Sequence, residues 1–289
     1  MGRLVASVAA FTIATAGTLA AAGPASADGQ GTTVMVHGNG TTVTLSRASV
    51  EQGRVRFKVD TSNRSVGSQI TLFRLVSPAT LATFTADLAE EFSQDPMTAA
   101  QGTRDLNRDV RIFGLADVVS GTPVTVTEQL PAGRYYVMDL GNGPSPTGPQ
   151  FTTFTVRGTG HVHSVGQSGG PVVKLTSADR FISPHTLPAR GTITVKNVSD
   201  TIHFMAISPV KKGTTDAQIQ AYFDSAAQVP PPFFVNGPSV GMDVLSPGLQ
   251  LQLTYRLPPG TYVLMCFIAD DVTGMPHAIM GMHKVVILK

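Results

Sequence analysis

The chain has 289 residues, with 21 Lys and Arg against 19 Asp and Glu, a net charge of +2 and a mean hydropathy of +0.12. Near-neutral charge without a basic run gives no reason to expect nucleic acid as a partner. A single cysteine rules out an intrachain disulfide, so its thiol must be buried or ligated to stay inert in an oxidising compartment.

Residues 1–27 read as a secretory signal peptide. Arg3 gives a short basic start, Leu4 to Ala22 is an apolar and small-residue run, and Ala-Ser-Ala stands before Asp28. The expectation is a secreted, extracellular protein cleaved after Ala27. No later stretch approaches the ~18 apolar residues that a membrane span needs.

Residues 28–157 hold short β-branched runs bounded by turn residues: "TTVTL", "RVRFKV", "QITLFRL", "PVTVTEQL", "RYYVMDL" and "FTTFTV". A helix is expected at about Ala79 to Phe92, where Leu81, Phe84 and Leu88 recur at helical spacing. Residues 158–172 are Gly/Ser-rich and apolar-poor, which suits a linker. The His161–His163 pair inside it offers too few ligands for a metal site.

Residues 173–289 repeat the pattern with "GTITVKNV", "IHFMAI", "LQLQLTYRL", "TYVLMCFI" and "KVVILK", and with a helix at about Thr215 to Ala227. "LPAGRYYVMDL" (130–140) lies over "LPPGTYVLMCF" (257–267), and "GLADVVSGTPVTVT" (114–127) over "VGMDVLSPGLQLQLT" (240–254). The expected fold is all-β, with two tandem Greek-key β-sandwich domains, each with one short helix.

The second repeat concentrates soft ligands. Cys266 ends a strand, and "PHAIMGMH" follows it with His277, Met280, Met282 and His283. A thiolate, two imidazoles and a weak axial thioether make a trigonal type 1 copper site. At these residues the chain resembles the cupredoxin family, well over about 180–289 and weakly over about 30–157. "TIHFMAI" places His203 where the family's first histidine stands, "LPPGTYVLMC" resembles the strand leading into the ligand cysteine, and "PHAIMGM" resembles the run carrying the second histidine and the methionine. The resemblance implies copper as cofactor, His203, Cys266, His277 and Met282 as metal ligands, and electron transfer or copper handling with a redox or copper-donor protein as partner.

One departure stands out. "FIADDVTGMP" puts ten residues between Cys266 and His277 where the family has two to four, and Asp270 and Asp271 followed by Thr-Gly suggest an extra turn there. Spacing alone therefore does not imply ligation by His277, and Met280 and His283 stand as spare candidates. In the first repeat Asp139 occupies the place of Cys266, Gln150 that of His277 and Gln69 that of His203, which leaves that repeat without metal ligands. No nucleophile elbow, phosphate loop or acid/base pair has usable spacing, so an enzyme is not expected. Two other readings compete: a metal-free secreted binding module on the same fold, and a Cu(I) chelator built from Met275, Met280, Met282 and His283.

Overall fold

The structure, a computed structural model, describes residues 31–143, 148–159, 170–225 and 231–289. The expected signal segment 1–27 and the His161–His163 pair lie outside the described residues.

The first repeat contributes β1 (Thr32–Gly38), β2 (Val43–Leu45), β3 (Ser49–Glu51), β4 (Gly53–Thr61), β5 (Ser68–Leu75), α1 (Leu81–Glu91), α2 (Pro96–Asp109), β6 (Val110–Val118), β7 (Val124–Leu130), β8 (Gly133–Asp139) and β9 (Thr152–Arg157). The second contributes β10 (Val172–Thr176), β11 (Arg180–Ile182), β12 (Thr186–Leu187), β13 (Arg190–Asn197), β14 (His203–Pro209), α3 (Asp216–Asp224), β15 (Val240–Leu245), β16 (Gln250–Arg256), β17 (Gly260–Met265) and β18 (His283–Leu288). Period-two burial explains the strands. In β4, Val55, Phe57 and Val59 point inward while Arg54, Lys58 and Asp60 point out.

Two sheets form the sandwich. One has eight strands in the order β11-β10-β13-β16-β7-β4-β1-β2, and the other has ten in the order β12-β18-β17-β14-β15-β6-β5-β8-β9-β3. Each sheet takes strands from both repeats, so the two sandwiches join edge to edge. The seam is self-complementary: Thr125 faces Thr254, Val126 faces Leu253 and Thr127 faces Gln252. Counted from their tyrosines, Val126 and Leu253 are equivalent residues, so a local two-fold runs through this pair. Those tyrosines confirm the repeat independently. Tyr135 Oη donates to Pro131 O at 2.7 Å and Tyr262 Oη to Pro258 O at 3.1 Å, the same corner built twice. Joining the edges also pairs backbone groups that an isolated sandwich would leave open.

The first repeat carries two helices, one more than expected. Asp95 caps α2 through a 2.8 Å bond from Thr98 N, and Pro96 fills its first turn. The buried face of α2 is mostly small: Ala99, Ala100, Gly102 and Thr103, with Leu106. A search for large apolar residues at helical spacing passes over such a face. The small residues let α2 lie close to α1, since a Cβ at Gly102 would come within 2.2 Å of Glu91 N. Among the described residues, no helix is long and apolar enough to cross a membrane.

Candidate metal centre

His203 opens β14 and is fully buried. The turn before it is set by Asn197, whose buried amide donates to Thr201 O at 2.8 Å and to Leu245 O at 2.7 Å. A register shift between His203 and Met205 against β15 then re-aims the start of the strand, as bulges do next to functional sites. Cys266 follows the last residue of β17 and is likewise buried.

The long spacer does not carry His277 away. Ala269 and Pro276 pair as an antiparallel bridge, His277 N donates to Ile268 O at 2.9 Å, and Ala278 N donates to Cys266 O at 2.6 Å. The excursion is thus a small hairpin whose two ends meet beside the cysteine. Its tip is held by Asp270, whose Oδ1 accepts from Val272 N, Thr273 N and Thr273 Oγ1. The outer side of the hairpin rests on the helices of the first repeat. Thr103 Oγ1 donates to Ala269 O at 2.9 Å, Arg104 donates to Asp271 O, and Ala269 N points to Glu91 Oε1 at 3.5 Å.

The result brings three of the four expected ligands to one point. Sγ of Cys266 lies 3.8 Å from His203 Nδ1 and 3.6 Å from His277 Nδ1, and the two nitrogens are 3.2 Å apart. The circle through these three atoms has a radius of about 2.1 Å, so one ion at its centre would stand at the 2.0–2.3 Å that imidazole nitrogen and thiolate sulfur require. Met282 is fully buried in the same loop, its N donating to His277 O at 2.8 Å and its O accepting from Cys266 N at 3.3 Å.

Burial sets the protonation of the centre. It pushes the Cys266 thiol up to about 12, against smaller opposing help from the N–H groups of Phe204 and Ile268. Burial, with the neighbouring His277, lowers His203 to about 3, and burial also lowers His277. Both imidazoles are therefore neutral and keep lone pairs for a ligand, while the thiol keeps its proton until something displaces it. Asp179 lies behind His277, its Oδ1 3.6 Å from Nε2, an atom without a hydrogen-bond partner. Burial, helped by the neighbouring Asp270, raises this carboxyl to about 6. Asp179 stands in the β10–β11 turn, far from the other residues in sequence, and no motif marks it.

The spare ligands are placed elsewhere. His283 spends both ring nitrogens on α3, with Nδ1 3.3 Å from Asp216 Oδ1 and Nε2 3.0 Å from Gln220 Oε1. Met280 sulfur accepts from Thr273 Oγ1 at 3.6 Å, and Met275 is exposed. His185 is exposed on a loop.

In the first repeat the equivalent point is a closed hydrogen-bond cluster. Asp139 stands in the place of Cys266, as expected. The register corrects the other equivalence: Ala206 faces Met265 as Thr71 faces Met138, and three residues back along each strand stand His203 and Ser68, not Gln69. Ser68 Oγ donates to Asp139 Oδ2 at 2.7 Å, and Gly40 N and Gly141 N donate to the same carboxylate. Gln69 instead binds Asp243 of the second repeat at 2.9 Å.

No protein-family model matches the chain, and no curated protein matches it. Among solved structures, reduced auracyanin from the photosynthetic bacterium Roseiflexus castenholzii is 22% identical over 43% of this chain and 99% of that chain, at a TM-score of 0.26. A multicopper oxidase is 10% identical over 89% of this chain and 88% of that chain, at 0.24. Copper nitrite reductase from Nitrosomonas europaea is 10% identical over 90% and 94%, at 0.23. With TM-scores this low, none of the three bears on the function of this chain.

Proposed function

We propose that the protein is an exported cupredoxin-like copper protein that binds one copper ion in its second repeat, for electron transfer or copper handling with a redox or copper-donor partner. The observation that carries the reading is the convergence of Cys266 Sγ, His203 Nδ1 and His277 Nδ1 on a single point within bonding reach. Two neutral nitrogens and one sulfur suit copper in both oxidation states, and a copper ion there would supply a one-electron couple.

The chain's own residues provide the rest. His203 opens β14 and Cys266 directly follows β17, its paired strand, so their separation is fixed by the ladder from Ala206–Met265 to Pro209–Tyr262. His277 is held by main-chain bonds on both sides of the hairpin. A ligand set that barely moves lowers the cost of changing oxidation state. Apolar burial excludes water, and Met282, buried in the same loop, would supply a thioether as the fourth ligand. Asp179 would accept the Nε2 proton of His277 and fix Nδ1 as the donor.

Copper titration of the purified full chain tests this. The expected outcome is one Cu(II) per chain with an intense visible thiolate-to-copper band that disappears in Cys266→Ser. A colourless Cu(II) complex unchanged by Cys266→Ser would reject the site, and a chain that binds no copper would leave the metal-free binding module.

A further inference from the structure

The near-neutral net charge conceals a strongly basic face. Strand alternation puts Arg54, Arg56 and Lys58 on the outer side of β4, and it puts Lys174, Arg190, Lys196 and Arg256 on the outer sides of β10, β13 and β16. These four strands belong to the eight-stranded sheet. The one carboxylate on their outer faces, Asp60, is taken by His37 Nδ1 at 2.6 Å. Five of the 19 acidic residues, Asp87, Glu90, Glu91, Asp105 and Asp109, lie on α1 and α2, which connect two strands of the other sheet.

A groove of about 540 Å³ crosses this face at the seam between the repeats. Its floor is the Thr125–Thr254 pair, with Thr254 Oγ1 bonded to Thr192 Oγ1 at 2.7 Å, and its sides carry Lys58, Arg190 and Arg256 together with Asp60 and the apolar Met35 and Pro123. Arg190 and Arg256 stand directly opposite each other in the ladder. Like charges in register destabilise a sheet. Among the described residues, no carboxylate forms an ion pair with Arg190, Arg256 or Lys58. An anion between the two guanidinium groups would turn that repulsion into two charge-assisted hydrogen bonds.

We propose that this face binds a linear, phosphate-bearing polyanion along the groove. Facing cations stand about 4.8 Å apart at Arg190–Arg256 and Lys174–Lys196, those of β4 recur about every 6.8 Å, and the cation-free strand β7 separates the two groups, so the charges are spread along a path for a chain rather than gathered for a single ion. A concave groove accepts a chain, whereas a flat bilayer cannot enter it. The outer faces of these strands present no aromatic ring on which bases could stack, which sets aside single-stranded nucleic acid. The strands β14 and β17 that lead into the candidate centre lie in the other sheet.

Fluorescence anisotropy of the full chain with labelled inorganic polyphosphate tests the proposal. Binding should weaken steeply from about 50 to 200 mM salt, as phosphate contacts do. Lys58→Gln/Arg190→Gln/Arg256→Gln should bind at least tenfold more weakly with a shallower salt slope. Lys211→Gln/Lys212→Gln/Lys289→Gln, the same charge loss elsewhere, should stay within twofold of the parent. The single variant Arg256→Thr should melt no lower than the parent, which keeps the test readable if the triple variant folds poorly. No binding by the parent chain, equal weakening in both triple variants, or preferential binding to vesicles of anionic phospholipid would each overturn the proposal.

Discussion

Gly274 offers a sharp test of how the long spacer is held. It lies at the tip of the hairpin with φ +68°, and a Cβ there would sit 1.8 Å from Pro96 O at the start of α2. Gly213 has φ +85° with nothing within 4 Å of the same added atom. Both alanine variants pay the left-handed strain of about 1–2 kcal/mol. Only Gly274→Ala must also move the hairpin or the helix by more than an ångström, an overpacking cost of about 1–3 kcal/mol. That movement strains the bond from Thr103 to Ala269 O, worth about 1 kcal/mol more. The excess of Gly274→Ala over Gly213→Ala is therefore about 2–4 kcal/mol. At about 2–4 °C per kcal/mol for a domain of this size, its Tm should fall some 5–10 °C further. Calorimetry and urea unfolding of the metal-free protein read this directly, and Cu(II) affinity should drop about tenfold or more in Gly274→Ala alone, since His277 leaves the same hairpin. Equal Tm values for the two variants would show that α2 does not clamp the loop.

The metal-free centre should make stability depend on pH in both directions. His203 is held neutral at about 3 against an ordinary 6.5, so its contribution is complete above pH 6.5 and is lost as pH falls toward 3. Cys266 is held protonated to about 12 against an ordinary 9.0, so its contribution is complete below pH 9 and is lost as pH rises toward 12. Cys266→Ser should flatten the alkaline limb by up to about 1.4 kcal/mol per pH unit; an unchanged limb in denaturant titrations would contradict the assignment. Glu128 is buried in the sandwich with Oε1 unpartnered, and burial raises its carboxyl well above the usual range. The Glu128 contribution is thus lost as pH rises above 4.5, and Glu128→Gln lacks that loss, so the Tm of the variant relative to the parent should be higher at pH 8 than at pH 4; an equal difference at both pH values would refute this. Asp179→Asn should lower Cu(II) affinity by about tenfold and shift the visible spectrum while leaving the Tm of the metal-free protein nearly unchanged. A variant with the parent's spectrum and affinity would show that Asp179 does not hold His277.

Much of the architecture follows from local pattern. The period-two runs of β4, β7, β13 and β16 specify strands, and the matching "LPAGRYY" and "LPPGTYV" segments specify two copies of one tyrosine corner. The helix α2 escaped this logic because its buried face is made of Ala, Gly and Thr, whose role is close approach rather than apolar area. Asp179 escaped because a carboxylate in a turn bears no mark of what the fold will bring behind it. The equivalence of Ser68 and His203 needed the register of β5 against β8, since a bulged strand shifts any gap-based comparison.

By itself the sequence determined the chemistry available: Cys266, His203, His277 and Met282 as candidate ligands in one repeat, and an aspartate in the place of the thiol in the other. These are properties of residue type and order, which need no third dimension. Whether the ten residues after Cys266 separate the ligands or return them was decided only by tertiary contacts. The Ala269–Pro276 bridge and the support of α2 close the excursion and bring His277 Nδ1 to 3.6 Å from Cys266 Sγ. The basic face has the same origin. Its cations are spaced two apart along β4 and scattered over other strands, and they become one surface only when alternation turns them all outward on a shared sheet.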